Sequence, residues 1–239
     1  LKRGMLSRMV NNHVIRSCDL AVCVSESLRN KIAAKRKNKP TVVVKNGVNT
    51  KFFRPLSKAA CRKKLSLPAK AQIIVYTGHI SKERGADRLI EAFSKIRAKK
   101  PEAMLLLSGQ VDKNMDISQP GIVYKELPRR KDVVVGINSG DVAVVPQPEN
   151  ETTKYAFPYK LMEYMACNVP VVATAIGDVK DLLKDYPDSL AEPGNVEDLA
   201  YKITAALDNK KKARYGKIVA EYTWEKLARK LNSELVKLR

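Results

Sequence analysis

The chain has 239 residues, 44% of them hydrophobic and 29% charged, enough to bury a sizeable core as one large domain or two small ones. A disordered tail and a disulfide-stapled miniprotein are thereby excluded. Lysine and arginine number 45 against 25 acidic residues, and the formal net charge of +20 favours anionic partners: phosphates, nucleic acid or an acidic membrane surface. Charge alone does not choose among them.

The four cysteines, Cys18, Cys23, Cys61 and Cys167, form no CxxC pair and sit mostly inside apolar runs. That is the pattern of reduced, buried thiols in a cytosolic protein rather than of a disulfide framework or a zinc site. No apolar run approaches the ~18–20 residues needed to span a bilayer, and Leu1-Lys2-Arg3-Gly4 lacks the apolar core of a signal peptide. The expectation is a soluble or peripheral chain. Residues 1–20 read as a helix running at once into a short apolar strand, and the chain opens on Leu rather than Met, so a preceding segment is expected.

After that helix come two short apolar runs, Ala21–Val24 and Val42–Val44, then the turn signal Asn46-Gly47 and the breaker Pro55. Strands are predicted at Ile73–Thr77, Met104–Ser108, Val142–Val145 and Val169–Ala173, each a continuous apolar run of the kind buried on both faces. Helices alternate with them. Ala86–Lys99 carries Leu89, Ile90, Phe93 and Ile96 on one face, and Lys131–Ser139, Tyr159–Cys167 and Val196–Leu207 follow. Lys210-Lys211-Lys212 reads as a solvated loop, and Thr223–Leu238 as a closing helix capped by Thr223, with Trp224, Leu227, Leu231 and Leu235 at helical spacing. Strand–helix alternation implies an α/β fold: a Rossmann-like, doubly wound parallel sheet whose ligands gather at the carboxyl ends of the strands.

Three segments could carry chemistry. Tyr76-Thr77-Gly78-His79-Ile80-Ser81-Lys82-Glu83-Arg84-Gly85 joins a buried strand to a helix. A glycine there lets a ligand approach the backbone, and the helix start with Lys82 and Arg84 would attract a phosphate. An ordinary connection with solvated basic residues is the alternative. It is neither a GxxxxGK[ST] loop nor a GxGxxG loop. In Lys154–Thr174, Pro158 suits a first helical turn, Leu161, Met162, Met165 and Ala166 form a buried stripe, and Asn168 can take a left-handed exit before Pro170. Lys160 and Glu163 are helical neighbours; either they form a surface ion pair worth only ~0.2–0.5 kcal/mol, or Glu163, on a short helix between two apolar strands, is partly enclosed and needs a polar partner such as a sugar diol. In Ala175-Ile176-Gly177-Asp178-Val179, Asp178 reads first as a helix cap. His13 reads as structural, and only the loop around His79 gives that histidine weight.

In order, these segments resemble the donor-binding half of nucleotide-sugar glycosyltransferases of family 4, which have the two-domain GT-B fold. The resemblance runs through Val24-Ser25-Glu26-Ser27, Val44–Asn49, Phe52-Phe53-Arg54-Pro55, the Gly78–Gly85 loop, Phe157–Ala166 and Pro170–Thr174. It implies that residues 1–47 end an acceptor domain and linker, that 48–222 form a Rossmann-like donor domain, and that 223–239 pack back toward the first domain. It also implies that the acceptor domain itself precedes residue 1. Gly78, His79, Arg84, Tyr155, Phe157, Pro158, Lys160, Leu161 and Glu163 fall at donor-binding positions, with Arg84 and Lys160 carrying the catalytic charge and no metal ligand. His79 stands where the family usually has arginine. Tyr155 stands eight residues before Glu163, where the family usually has a second glutamate, which leaves the transferred sugar undetermined.

The implied activity is retaining transfer of a sugar from a UDP- or GDP-sugar to an acceptor hydroxyl, lipid-linked or glycan, with no cofactor required. The implied setting is envelope or glycan biosynthesis in the cytoplasm or at the cytoplasmic face of a membrane. Two other readings stand beside it: a basic nucleic-acid-binding module, weakened by 6% aromatic content and by the lack of a recognisable motif, and a GT-B relative that binds nucleotide-sugar for epimerisation or regulation.

Overall fold

The computed structural model describes residues 3–209 and 214–238, with side chains from residue 9 on. The Lys210-Lys211-Lys212 run lies outside the described residues. Helix α1 (Arg3–Ser17) leads into strand β1 (Ala21–Cys23), α2 (Glu26–Ala33) and β2 (Thr41–Val43), and β1 and β2 pair in parallel as a separate two-stranded sheet. Then follow α3 (Lys58–Lys64), β3 (Ile73–Thr77), a 3-10 turn at Lys82–Arg84, α4 (Ala86–Lys99), β4 (Met104–Ser108) and β5 (Ile122–Tyr124). The second half runs α5 (Arg130–Ser139), β6 (Val142–Val145), α6 (Glu151–Tyr155), α7 (Tyr159–Ala166), β7 (Val171–Thr174), α8 (Asp178–Leu182) and β8 (Leu190–Ala191). The chain closes with α9 (Val196–Asp208), α10 (Gly216–Glu221) and α11 (Trp224–Val236).

The main sheet has the order β5-β4-β3-β6-β7-β8, parallel throughout, so the expected α/β, Rossmann-like doubly wound architecture is present. Its order reverses between β3 and β6, which are adjacent in space and far apart in sequence. A crevice opens beyond the carboxyl ends of strands at such a point. Every residue of β3, β6 and β7 is buried, as the unbroken apolar runs require of strands covered on both faces. One face is filled by Leu161, Met162 and Met165 of α7, the other by Leu89, Phe93 and Ile96 of α4 with Leu199 and Ile203 of α9.

Several expectations shift. The strand predicted at Val169–Ala173 begins at Val171, because Asn168 has positive φ (55°) and Pro170 cannot donate to a ladder. Pro158 stands at the N-cap of α7 rather than in its first turn. The strands β5 and β8 have only three and two residues, too short for a periodicity to register. His13 is exposed on α1 and not part of a core.

Asp178 is not a cap: Gly177 occupies that position, and the Asp178 carboxylate, 2% exposed, faces the first segment. It accepts the Glu26 backbone N–H on both oxygens at 3.1 Å and pairs with Lys45 Nζ at 2.8 Å, joining α2 and the segment after β2 to the main sheet. The closing helix also docks here. Val48 N–H donates to Tyr222 O at 2.8 Å, and a Cβ on Gly47 would stand 2.8 Å from the Trp224 ring and 3.0 Å from Leu227, so the bare backbone admits both side chains.

Asp178→Ala is expected to lower the free energy of unfolding by about 3 kcal/mol, because it strands a half-buried ammonium and a backbone N–H. The loss should appear as a lower urea midpoint, with proteolytic cleavage between residues 35 and 55 preceding that of the main sheet. A midpoint within error of the parent would show that the ion pair does not hold the two parts together.

Candidate active site

The site begins with a backbone N–H. Beyond Val75, β3 outruns its pairing with β6, and Thr77 has no strand partner on that side, while Gly78 N–H still donates to Ser108 O of β4 at 2.7 Å. The hydroxyl of Tyr164, fully buried on α7, accepts the Thr77 N–H at 2.9 Å and lies 3.1 Å from Thr77 Oγ1. Helix α7 is thereby fixed against the last residue of β3. Four residues earlier on the same helix, Lys160 crosses the Cα of Gly78, and a Cβ at that glycine would overlap the ammonium. Gly78 has φ +131°, so position 78 demands glycine on both counts.

The loop that enters α7 is stapled to the first segment: Ser25 Oγ donates to Tyr155 O at 2.7 Å and Asn46 Nδ2 to Phe157 O at 2.6 Å. The loop after β3 is pinned on its other side to the loop after β4, through Ile80 N–H to Gln110 O at 2.7 Å and His79 Nε2 to Asp112 Oδ1 at 2.6 Å.

Two adjoining cavities share Tyr159 and Lys160. One, of about 320 Å³, is bounded by Gly78, Gly109, Phe53, Arg130 and Glu163. The other, of about 250 Å³, is bounded by His79, Arg84, Asn46, Gln147 and Pro158. A larger cavity, about 700 Å³, opens at the opposite end of the sheet, beside Pro170 and Tyr215, away from these residues. Of the expected residues, Gly78, His79, Arg84, Pro158, Lys160 and Glu163 therefore converge on the crevice. Phe157 bounds the second cavity from within the core, 2% exposed and stacked on Tyr222 at 5.6 Å. Leu161 is wholly buried in the core, and Tyr155 carries the Lys31 ammonium 4.0 Å from its ring, outside both cavities.

Sequence reasoning missed Arg130, Tyr159, Asn46 and Gln147. Arg130 stands at the start of α5 and faces Glu163; only the general rule that helix starts ring the strand ends could have suggested it.

The side chains of Lys160 and Glu163 do not form an ion pair with each other, nor does either side chain form a hydrogen bond among the described residues, so the surface ion pair is not what the structure contains. Burial lifts the Glu163 carboxyl to about 7, against the opposing pull of Arg130 and Lys160. Burial also pulls the Lys160 ammonium down to about 8, with Arg84 adding to that shift and Glu163 opposing it. The ammonium lies 5.0 Å from the centre of the Tyr76 ring, a weak cation–π contact. An enclosed cation and an enclosed carboxylate whose side chains make no hydrogen bond or ion pair among the described residues form a site for a ligand that carries an anion and hydroxyl donors.

The sign of the pH dependence follows. Folding favours the protonated Glu163, so stability falls as pH rises from the ordinary 4.5 toward 7, and the whole cost is present above that. Lys160 acts in the opposite sense, losing stability as pH falls from 10.5 toward 8. Glu163→Gln is expected to stabilise the fold by about 1–2 kcal/mol at pH 8, after discounting for the partial exposure of the site, and by nothing measurable at pH 4.5. Urea titrations at the two pH values check this. Destabilisation at pH 8 would mean that the carboxylate serves the fold.

Comparison with known proteins bears on the family and the fold. The family model described as Glycosyl transferases group 1 matches residues 57–221. A D-inositol 3-phosphate glycosyltransferase from Thermobispora bispora is 28% identical over 159 residues, covering 59% of this chain and 36% of the relative. A GDP-mannose-dependent monoacylated alpha-(1-6)-phosphatidylinositol monomannoside mannosyltransferase from Corynebacterium glutamicum is 25% identical over 210 residues, covering 80% of this chain and 54% of the relative. The chain thus spans only part of the length of these curated relatives. Among solved structures, sucrose-phosphate synthase from Thermosynechococcus elongatus superposes with a TM-score of 0.81 at 23% identity, over 99% of this chain and 62% of that one. The Anabaena protein HepE in complex with UDP and glucose gives 0.79 at 17% identity, over 96% and 66%. At these identities the structural likeness carries the fold alone. The family match covers most of the chain, and the chain belongs to the glycosyl transferases group 1.

Proposed function

We propose that this chain is the donor-binding, C-terminal half of a retaining glycosyltransferase of the family 4 type, and that its crevice binds a UDP- or GDP-sugar. The observation that carries this reading is Lys160 lying across the bare backbone of Gly78 and shared by two adjoining cavities, one bounded by Arg84 and the other by Glu163, with neither cation in an ion pair among the described residues. The donor diphosphate lies beside Gly78, against the Lys160 ammonium that the missing Cβ admits there. Arg84 and Lys160 bind its oxygens and stabilise the charge that develops on the leaving nucleoside diphosphate, electrostatic work that the fold arranges beforehand. Glu163, as carboxylate, accepts hydrogen bonds from the ribose diol.

His79 is held by Asp112, so it offers the diphosphate a ring edge and a backbone N–H. Asn46 and Gln147 border the second cavity, where the transferred sugar is placed. Residues 1–47 are read as the end of the acceptor domain and linker, 48–222 as the donor domain, and 223–239 as the helix returning toward the acceptor domain. The exposed apolar side chains of α1, Met9, Val10 and Val14, support that division, since they present a face that a further domain would cover. The acceptor is a lipid-linked or glycan hydroxyl of envelope biosynthesis, reached from the cytoplasmic face. The teichuronic acid and phosphatidylinositol mannoside glycosyltransferases among the relatives support that setting.

Thermal-shift titration with UDP, GDP and their sugar conjugates tests the reading, because a ligand that binds only the native state raises the melting temperature. A selective rise with one base is expected. Arg84→Gln and Lys160→Gln should each weaken that nucleotide about 10- to 100-fold, the worth of a hydrogen bond to a charged group. Equal affinity in both variants would remove the diphosphate from this crevice.

A further inference from the structure

Beside the donor crevice, on the other side of Phe53, lies a second basin of about 330 Å³ that the donor reading does not use. The chain alternates across it. Phe53 is 3% exposed and turns toward Glu163, while its neighbours Phe52 and Arg54 turn the other way. Two asparagines fix this arrangement. Asn49 Oδ1 accepts the N–H groups of Lys51 and Phe52 at 3.0 and 3.3 Å, and buried Asn138 donates to Arg54 O at 3.1 Å while accepting Leu56 N–H at 2.8 Å. With the backbone satisfied from within, the side chains of residues 51, 52, 54 and 56 face outward.

The result is a ring of four cations, Lys51, Arg54, Lys64 and Lys131, around two exposed apolar side chains, Phe52 (47%) and Leu56 (38%), above a floor of α5 valines. Of the four, Lys64 lies 3.7 Å from Asp132, whose carboxylate also feels the neighbouring Lys131, and none of Lys51, Arg54 and Lys131 forms an ion pair among the described residues. Exposed cations alone would suit any polyanion. Apolar side chains set among them suit an amphiphile whose phosphates meet the cations while the apolar groups enter the boundary between headgroups and acyl chains. Nucleic acid is less well matched, since the basin offers one aromatic ring and no neutral polar side chain to read a base.

We propose that this basin docks the chain on an anionic lipid bilayer, with headgroup phosphates between Lys51, Arg54 and Lys131 and with Phe52 and Leu56 in the interfacial layer. Because Phe53 separates this basin from the donor cavity, docking holds the crevice next to the membrane surface. The inference stands on these side chains and does not depend on the donor chemistry.

Co-sedimentation of the whole chain with vesicles of phosphatidylcholine alone, and of phosphatidylcholine with 30% phosphatidylglycerol, tests it. Binding is expected only to the anionic vesicles, and salt should weaken it. The triple variant Lys51→Gln, Arg54→Gln, Lys131→Gln should lower the partition coefficient on the order of a hundredfold, each near-surface cation counting for about fivefold. Phe52→Ala with Leu56→Ala should lower it several-fold at unchanged charge. Melting temperature and circular dichroism, measured on each variant, exclude misfolding. The proposal is overturned if the triple variant partitions like the parent, if anionic vesicles are not bound, or if the substitutions abolish binding of single-stranded RNA while vesicle binding persists.

Discussion

The hydroxyl of Tyr164 against the backbone N–H of Thr77 is the contact on which the site depends. A parallel strand that outruns its neighbour leaves an unpaired N–H, and burying it without a partner would cost roughly 1–3 kcal/mol. Tyr164 satisfies it from a helix rather than from a strand, and so sets the height and rotation of α7 relative to the end of β3. Lys160 and Glu163 take their places from that alignment, and Gly78 follows directly after the strand residue that Tyr164 holds. One interaction of the fold thus aligns three elements of the crevice.

The charged groups divide by their partners. Arg36, 2% exposed, donates to Cys18 O, Asp19 O and Pro40 O at 2.9–3.2 Å and also to Ile15 O. Arg62 reaches Ser139 O, Ala69 O and Asp141 within 2.9 Å, and Asp178 is satisfied by Lys45 and Glu26 N–H. These buried charges are matched by several partners each, as burial demands, with Arg36 Nε alone among their donors left over. Lys160 and Glu163 are enclosed and have no ion-pair partner among the described residues, each shifted toward neutrality by that enclosure. Both stand at the carboxyl ends of β3 and β6, where the topology opens a crevice.

Much of this was legible in the sequence. The strands at Ile73–Thr77, Met104–Ser108 and Val142–Val145 and the helix at Ala86–Lys99 coincide with the structure, because each is a run whose burial is complete or sharply one-sided. Gly78, Arg84, Lys160 and Glu163, which line the crevice, were legible as candidates because each sits in a local motif. Arg130 and Gln147 were not, since they reach the crevice from the start of α5 and the end of β6, and only the three-dimensional strand order brings those points together. Asp178 was misread for the same reason: its partners lie more than 130 residues away, and a local rule assigns an aspartate after glycine to a cap. Phe157 and Leu161, placed at the donor by their motif, have side chains in the core, so a motif position and a side chain's surroundings are separate facts.

The most direct test of the central claim is a crystal structure of this chain with UDP or GDP, whichever raises its melting temperature. The account predicts the diphosphate against Gly78 within hydrogen-bond reach of Lys160 Nζ and the Arg84 guanidinium, with both ribose hydroxyls on Glu163. A nucleotide bound in the cavity beside Tyr215, or one in the crevice whose ribose lies away from Glu163, would contradict it.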